Sequence, residues 1–210
     1  MRITRTFFCS ILLASSLLIA GCGRKSKEKL YRELLQDAAQ LQAEGNLASE
    51  ESLDGVIDRF DLFITEHPKN AHVEELRQKR GALADQRDKC RLFRIRNQYE
   101  LITSDTGHSL EEVLKNTHNL LVILKTSEAQ TLLNKYPNAK VYEPDLLEFR
   151  DEIQAIEAIA TSSYSSLKEF NEEVEARQSR FEQSRFSSIP TLWEKHTDAK
   201  RKKLINMEIE

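Results

Sequence analysis

Apolar residues recur along most of this chain at intervals of three and four, and no run of strict alternation interrupts them. That period is the signature of amphipathic helices. Leu30, Leu34, Ala38 and Leu41 form a first stripe, which ends at the helix-stop pair Gly45-Asn46. Leu53, Val56, Ile57, Phe60, Phe63 and Ile64 form a second, the most amphipathic in the chain, closed by Pro68. A third helix is predicted from Ala71 to about Ile102, polar in its centre and carrying Gly81. The segment "NLLVILK" at 119–125 is the nearest strand candidate, but Ser109-Leu-Glu-Glu112 upstream is a capping box and makes it helical. Leu110, Val113, Leu114, Leu121 and Leu124 then share one face.

Beyond Pro144 the pattern is the most regular in the chain. Leu146, Phe149, Ile153, Ile156, Ala160, Ser163, Leu167, Phe170, Val174, Arg177, Phe181 and Ser184 keep an unbroken 3–4 spacing, with no Gly or Pro from 145 to 189. Such a seam predicts one long bent helix of coiled-coil type, or two helices folding back at the soft "TSSYSS" segment, 161–166. A final helix follows Pro190, with Leu192, Trp193, His196, Ala199 and Leu204 near its apolar side. The predicted fold is all-α: helical hairpins over 30–143, then a long heptad-patterned helix or helix pair over 144–210.

The N-terminus follows a different pattern. Arg2 and Arg5 precede Phe7 to Ala20, whose only polar residues are Ser10, Ser15 and Ser16. As a helix this stretch spans roughly 21 Å, short of the roughly 30 Å hydrocarbon core that a membrane-crossing helix must cover. A basic start and a short apolar core are the marks of a secretory signal peptide, here 1–21. Its end, Ile19-Ala20-Gly21-Cys22, resembles the lipobox of bacterial lipoproteins. The resemblance implies a diacylglycerol on the Cys22 thiol, cleavage before Cys22, and a membrane attachment made through the lipid. Two or more acyl chains anchor stably where one does not. Glycine at 23, where an aspartate resembles an inner-membrane retention signal, favours the outer membrane if the source has one. Residues 22–29, "CGRKSKEK", read as lipidated cysteine and polar tether.

Charge and cysteine content sharpen this reading. Without Arg2 and Arg5, 29 basic residues face 34 acidic ones, a formal charge of −5, which speaks against a nucleic-acid partner. After loss of Cys9 and lipidation of Cys22, only Cys90 remains, so no internal disulfide is possible. Arg87, Lys89, Arg91 and Arg94 crowd Cys90, but no histidine lies near in sequence, and burial on a helix face is the expected state.

Two segments look alike: "FDLFITEHPKNAHVEEL" (60–76) and "QTLLNKYPNAKVYEPDLL" (130–147). Each has an apolar helix end, a proline turn and a second helix, and Pro68 and Pro137 lie 69 residues apart. This spacing is close to twice the 34-residue tetratricopeptide period. Phe60, Phe63, His67, Pro68, Asn70 and Ala71 in one copy, and Leu132, Leu133, Tyr136, Pro137, Asn138 and Ala139 in the other, resemble the tetratricopeptide-like hairpins of periplasmic outer-membrane lipoproteins. The fuller Trp, Leu-Gly and Tyr signature is missing, and one copy has an extra residue.

No catalytic pattern emerges. His67, His72, His108, His118 and His196 form no metal-ligand spacing, there is no phosphate loop or nucleophile elbow, and neither a cofactor nor an enzyme is expected. Two basic runs stand out, 77–96 and "KRKK" at 200–203. Arg80, Arg87 and Arg94 recur every seven residues and are read as a polar docking stripe for an acidic partner or anionic lipid. The faces around Phe60, Phe63 and Tyr136 are read as groove-forming. The resulting expectation is a lipid-anchored, non-catalytic helical adaptor that binds another envelope protein. The rival expectation is a structural lipoprotein that oligomerises through the 146–184 seam. A surface lipoprotein engaging host or phage is allowed by the address but has no motif.

Overall fold

The computed structural model describes residues 27–209, so the signal peptide, Cys22 and most of the tether lie outside the described residues. Among the described residues the protein is all-α, with eight α-helices, two 3-10 turns and no strand. These are α1 (Lys27–Glu44), α2 (Glu50–Glu66), α3 (Val73–Thr103), α4 (Leu110–Leu124), α5 (Ser127–Lys135), α6 (Tyr142–Thr161), α7 (Leu167–Glu182) and α8 (Ser188–Ile209). No described helix is long and apolar enough to cross a membrane. The chain divides into two compact units after Cys90, inside α3, whereas the apolar pattern placed a boundary at 143/144.

In the first unit α1, α2 and the start of α3 run up, down and up. Asp54 pairs with Arg87 and Asp61 with Arg80, so α2 and α3 are antiparallel. The Tyr31 hydroxyl donates to Glu75 at 2.5 Å and the Gln86 amide donates to the Leu41 carbonyl, which sets α1 parallel to α3. Leu34, Ala38, Leu41, Leu53, Ile57, Phe60, Phe63, Leu76, Leu83 and Cys90 fill the space between them. Gly45 has φ +57°, the left-handed conformation that terminates α1 where the sequence has its stop signal. The Gln86 amide donates to the carbonyls of Leu41 and Gly45 (2.5 and 2.9 Å) at the end of α1, where the last helical carbonyls lack intrahelical partners. Cys90 is fully buried with its Sγ 3.6 Å from the Gly45 carbonyl, a packed thiol.

Helix starts in both units follow local side-chain chemistry. Ser49 caps α2, Thr126 caps α5 and Ser166 caps α7, each accepting from a backbone N–H three residues on. Ser109 and Glu112 form the reciprocal capping box that makes 110–124 a helix.

The second unit contains the end of α3 and helices α4 to α8. The seam beyond Pro144 is two helices: α6 ends at Thr161, the chain turns over 162–166, and α7 begins at Leu167. Both halves of the seam face one core, where Phe149, Ile153, Ile156, Phe170, Val174 and Phe181 meet Ile189, Leu192 and Trp193 of α8. Of the two readings of the seam, the helix pair is the one formed, and the continuous helix over 146–184 is not, its apolar positions being covered within the chain. Ser184, read as a seam position, donates to the Glu152 carboxylate at 2.6 Å and compensates the burial of that acid. A second cluster, Ile95, Leu120, Leu121, Leu124, Leu132, Leu133 and Leu146, holds α4, α5 and the end of α3 together.

The two proline segments adopt the same local turn. The N–H groups of His67 and Tyr136 donate to the carbonyls of Phe63 and Leu132 (2.9 and 3.0 Å), and those of Asn70 and Ala139 donate to His67 and Tyr136 (2.9 and 3.0 Å). The following helices open at Val73 and Tyr142, keeping the 69-residue offset of the prolines. The extra residue takes effect only afterwards, where buried Leu76 is matched by buried Leu146.

Candidate functional site

The arginine stripe proves to be a structural device. Leu76, Leu83 and Cys90 of α3 are fully buried at intervals of seven, and Arg80 and Arg87 each follow a seam residue by four. That places both beside the core, opposite Asp61 and Asp54, themselves seven apart on α2. Arg80 reaches Asp61 through Nε and Nη2 at 3.1 and 3.0 Å, and Arg87 reaches Asp54 at 2.7 Å. The Arg87 guanidinium is held above its ordinary value, first by the Asp54 hydrogen bond, against the opposing effect of burial. Arg94 is exposed and belongs to the second unit. Arg80 and Arg87 therefore pair α2 with α3 and do not stand as a free stripe.

Half-exposed pairs of this kind are worth about 0.2–1 kcal/mol each. Reversing Arg87 to Glu is expected to destabilise the chain modestly, and adding Asp54→Arg to restore most of the loss. A double-mutant cycle by denaturant unfolding measures the coupling.

The aromatic groove expected at Phe60 and Phe63 is corrected for a similar reason. Phe60 and Phe63 are 0% and 1% exposed, packed inside the first unit, and Phe63 meets the His67 ring edge-on at 4.9 Å. Tyr136, in the second unit, is half-buried against the α4–α5 cluster with the Lys135 ammonium 5.6 Å from its ring. Phe60 and Phe63 are thus core residues of the first unit, and Tyr136 packs beside the second proline turn.

A concave site exists elsewhere, between α7 and α8. Arg201 donates to Asn171 at 3.2 Å and the Leu167 N–H donates to Glu208 at 2.8 Å, which sets the two helices antiparallel along their whole length. Val174, Gln178 and Glu182 line one wall at intervals of four, and Glu194, Asp198 and Arg201 line the other. The cavity has a volume of about 360 Å³, and Trp193, 4% exposed, forms part of its floor. Beneath the floor the Phe181 ring stacks on Trp193 at 4.4 Å, with an interplanar angle of 24°.

The walls of this groove are acidic. Arg201 is engaged by Asp198 at 2.5 Å and by Asn171, while Glu182 accepts from Gln178 at 2.6 Å. The Glu194 carboxylate has no hydrogen bond or ion pair among the described residues. A second hollow of about 470 Å³ continues along the same helix pair, walled by Glu172, Glu175 and Glu208 with Lys168. Sequence reading missed this site because its walls lie some 20 residues apart in the chain. The one available signal was the recurrence of Glu194, Arg201 and Glu208 every seven residues on α8.

His196 lies on α8 with its Nε2 buried and unpartnered. Burial, reinforced by the Lys195 charge, holds its imidazole below the usual 6.5. Hydrogen bonds from Ser109 hold Glu112, and those from Ser165 hold Glu169, below the ordinary 4.5. All three pKa values are depressed by folding, so each group contributes stability that is present above its unfolded value and lost as pH falls through its folded one. The thermal midpoint is expected to fall in two stages on acidification, first below about pH 6.5 and again below about pH 4.5. Thermal melts from pH 8 to 3 check this, and His196→Asn is expected to remove the first stage alone.

Among the described residues no group of three or more His, Cys, Asp or Glu side chains is placed to hold a metal ion. No family model, curated protein or solved structure matches the chain.

Proposed function

We propose that this protein is a lipid-anchored, non-catalytic adaptor of the bacterial cell envelope, tethered through Cys22, whose helical body holds a partner protein near the membrane. The observation that carries the reading is the Ile19-Ala20-Gly21-Cys22 ending of an apolar stretch too short to span a bilayer. Two features of the body support it. The two proline segments, whose sequences resemble tetratricopeptide-like hairpins, form the same local turn as each other, and the α7–α8 groove is a concave surface on the body. The outer membrane, facing the periplasm, is the proposed location in a two-membrane cell, since glycine follows the cysteine.

Metabolic labelling with an alkyne-bearing palmitate tests the anchor. The natural chain is expected to take up label, and Cys22→Ser to remain unlabelled at the mass of the unprocessed precursor. A natural chain that takes up no label contradicts the reading. A photo-crosslinking residue at exposed Thr191, on the groove rim, is then expected to give one dominant adduct in living cells. The rival role as a coiled-coil oligomer loses support, because the seam it needs is buried inside the second unit.

A further inference from the structure

We propose that the α7–α8 groove binds an extended, cationic segment of another protein, with lysine or arginine side chains seated between the carboxylates of its two walls. The proposal rests on the adaptor reading for its setting and supplies the chemistry of the partner. Three observations support it.

The first is charge. Glu182, Glu194 and Asp198 face a single guanidinium, Arg201, whose donors are already directed at Asp198 and Asn171. Two negative charges are left without a counter-charge in the lining, on the exposed Glu182 and Glu194 and the half-buried Asp198. Glu194 in particular has both oxygens open to a donor.

The second is that a bare metal ion does not fit. Among the described residues no group of three or more His, Cys, Asp or Glu side chains is placed to hold one, whereas a larger ligand can spread its charge along both walls. The third is length. The hollow at Glu172, Glu175 and Glu208 follows the first along the helix pair, and the Arg201–Asn171 bond bridges the two. Asn171, Val174, Gln178 and Glu182 share one side of α7, and Glu194, Arg201 and Glu208 share one side of α8, so the two hollows follow each other along the helix pair. Together they follow α7 for about 24 Å, the length of roughly seven extended residues. Two acid-walled hollows in line suit basic side chains repeated along a strand-like segment.

Trp193 is the only tryptophan in the chain and lines this groove, so its fluorescence serves as the probe of the groove. The experiment titrates the purified full-length protein in detergent with a ten-residue alternating lysine–alanine peptide, its glutamate–alanine counterpart, and spermidine. The lysine peptide is expected to change Trp193 emission saturably, the glutamate peptide to do nothing, and spermidine to bind at least tenfold more weakly. Raising salt from 50 to 200 mM is expected to weaken binding several-fold. The double variant Glu182→Gln, Glu194→Gln changes two exposed side chains and should melt like the parent; it is expected to lower affinity about tenfold, as two lost surface pairs imply.

No response to the lysine peptide, an equal response in the double variant, or spermidine binding as tightly as the peptide each overturns the proposal. The first two remove the groove as a cation site, and the third makes it a site for a small polyamine. The palmitate label is read separately: labelled Cys22 with no peptide binding defeats this inference alone, and peptide binding without label defeats only the membrane role.

Discussion

Replacing Phe60 by Ala is expected to cost about 3–5 kcal/mol of folding stability, the range for deleting a buried aromatic ring. The ring is fully enclosed in the first unit, in one cluster with Leu34, Leu53, Ile57, Leu76 and Leu83. Truncation loses the transfer free energy of the ring and also leaves a cavity between three helices that can close only by shifting the α2–α3 zipper. Phe60→Leu keeps most of the volume and is expected to cost less than about 1.5 kcal/mol. Urea unfolding of the two variants measures the difference. A loss of less than about 1 kcal/mol for Phe60→Ala, combined with impaired partner capture, would restore the docking role that periodicity alone assigned to this residue.

Phe181→Ala is expected to be as costly, about 3–5 kcal/mol, with a second effect that Phe60→Ala lacks. Phe181 is 0% exposed, stacks on Trp193 at 4.4 Å and has the Arg180 guanidinium 5.4 Å from its ring. Its loss removes both the packing between α7 and α8 and the support under the groove floor. Tryptophan emission should therefore shift to the red in the folded variant, as water reaches the indole, while Phe181→Leu keeps the shift small. Emission spectra recorded well below the unfolding transition check this. An unchanged spectrum in a destabilised Phe181→Ala protein would mean that the floor of the groove stands without the ring.

The order of helices was largely legible because it is written in local chemistry. The Ser109–Glu112 box, the Gly45 stop and Pro68 each act within a few residues, and the expected third helix differs from α3 by two residues at its start and one at its end. The turn at 162–166 left two readings open, because Ala160, Ser163 and Leu167 keep the heptad phase straight through it. Only the back-folding of α7 onto the core of α6 distinguishes the hairpin from a long helix.

What was illegible depended on register between helices. Arg80 and Arg87 read as a free stripe until α2 is placed antiparallel to α3, bringing Asp61 and Asp54 opposite them. Phe60 and Phe63 could equally have floored a groove or filled a core, since an apolar face has the same period in both cases. The α7–α8 groove needed both effects, a hairpin and its register, and its acids are indistinguishable in sequence from solvated helix surface.

The account depends above all on an acylated sulfur at position 22. Intact-mass measurement of the protein purified from its own cells settles the matter: a chain beginning at Cys22 and heavier than its residues by a diacylglyceryl group is the predicted result. A chain that still begins at Met1, or a Cys22 thiol without lipid, contradicts it.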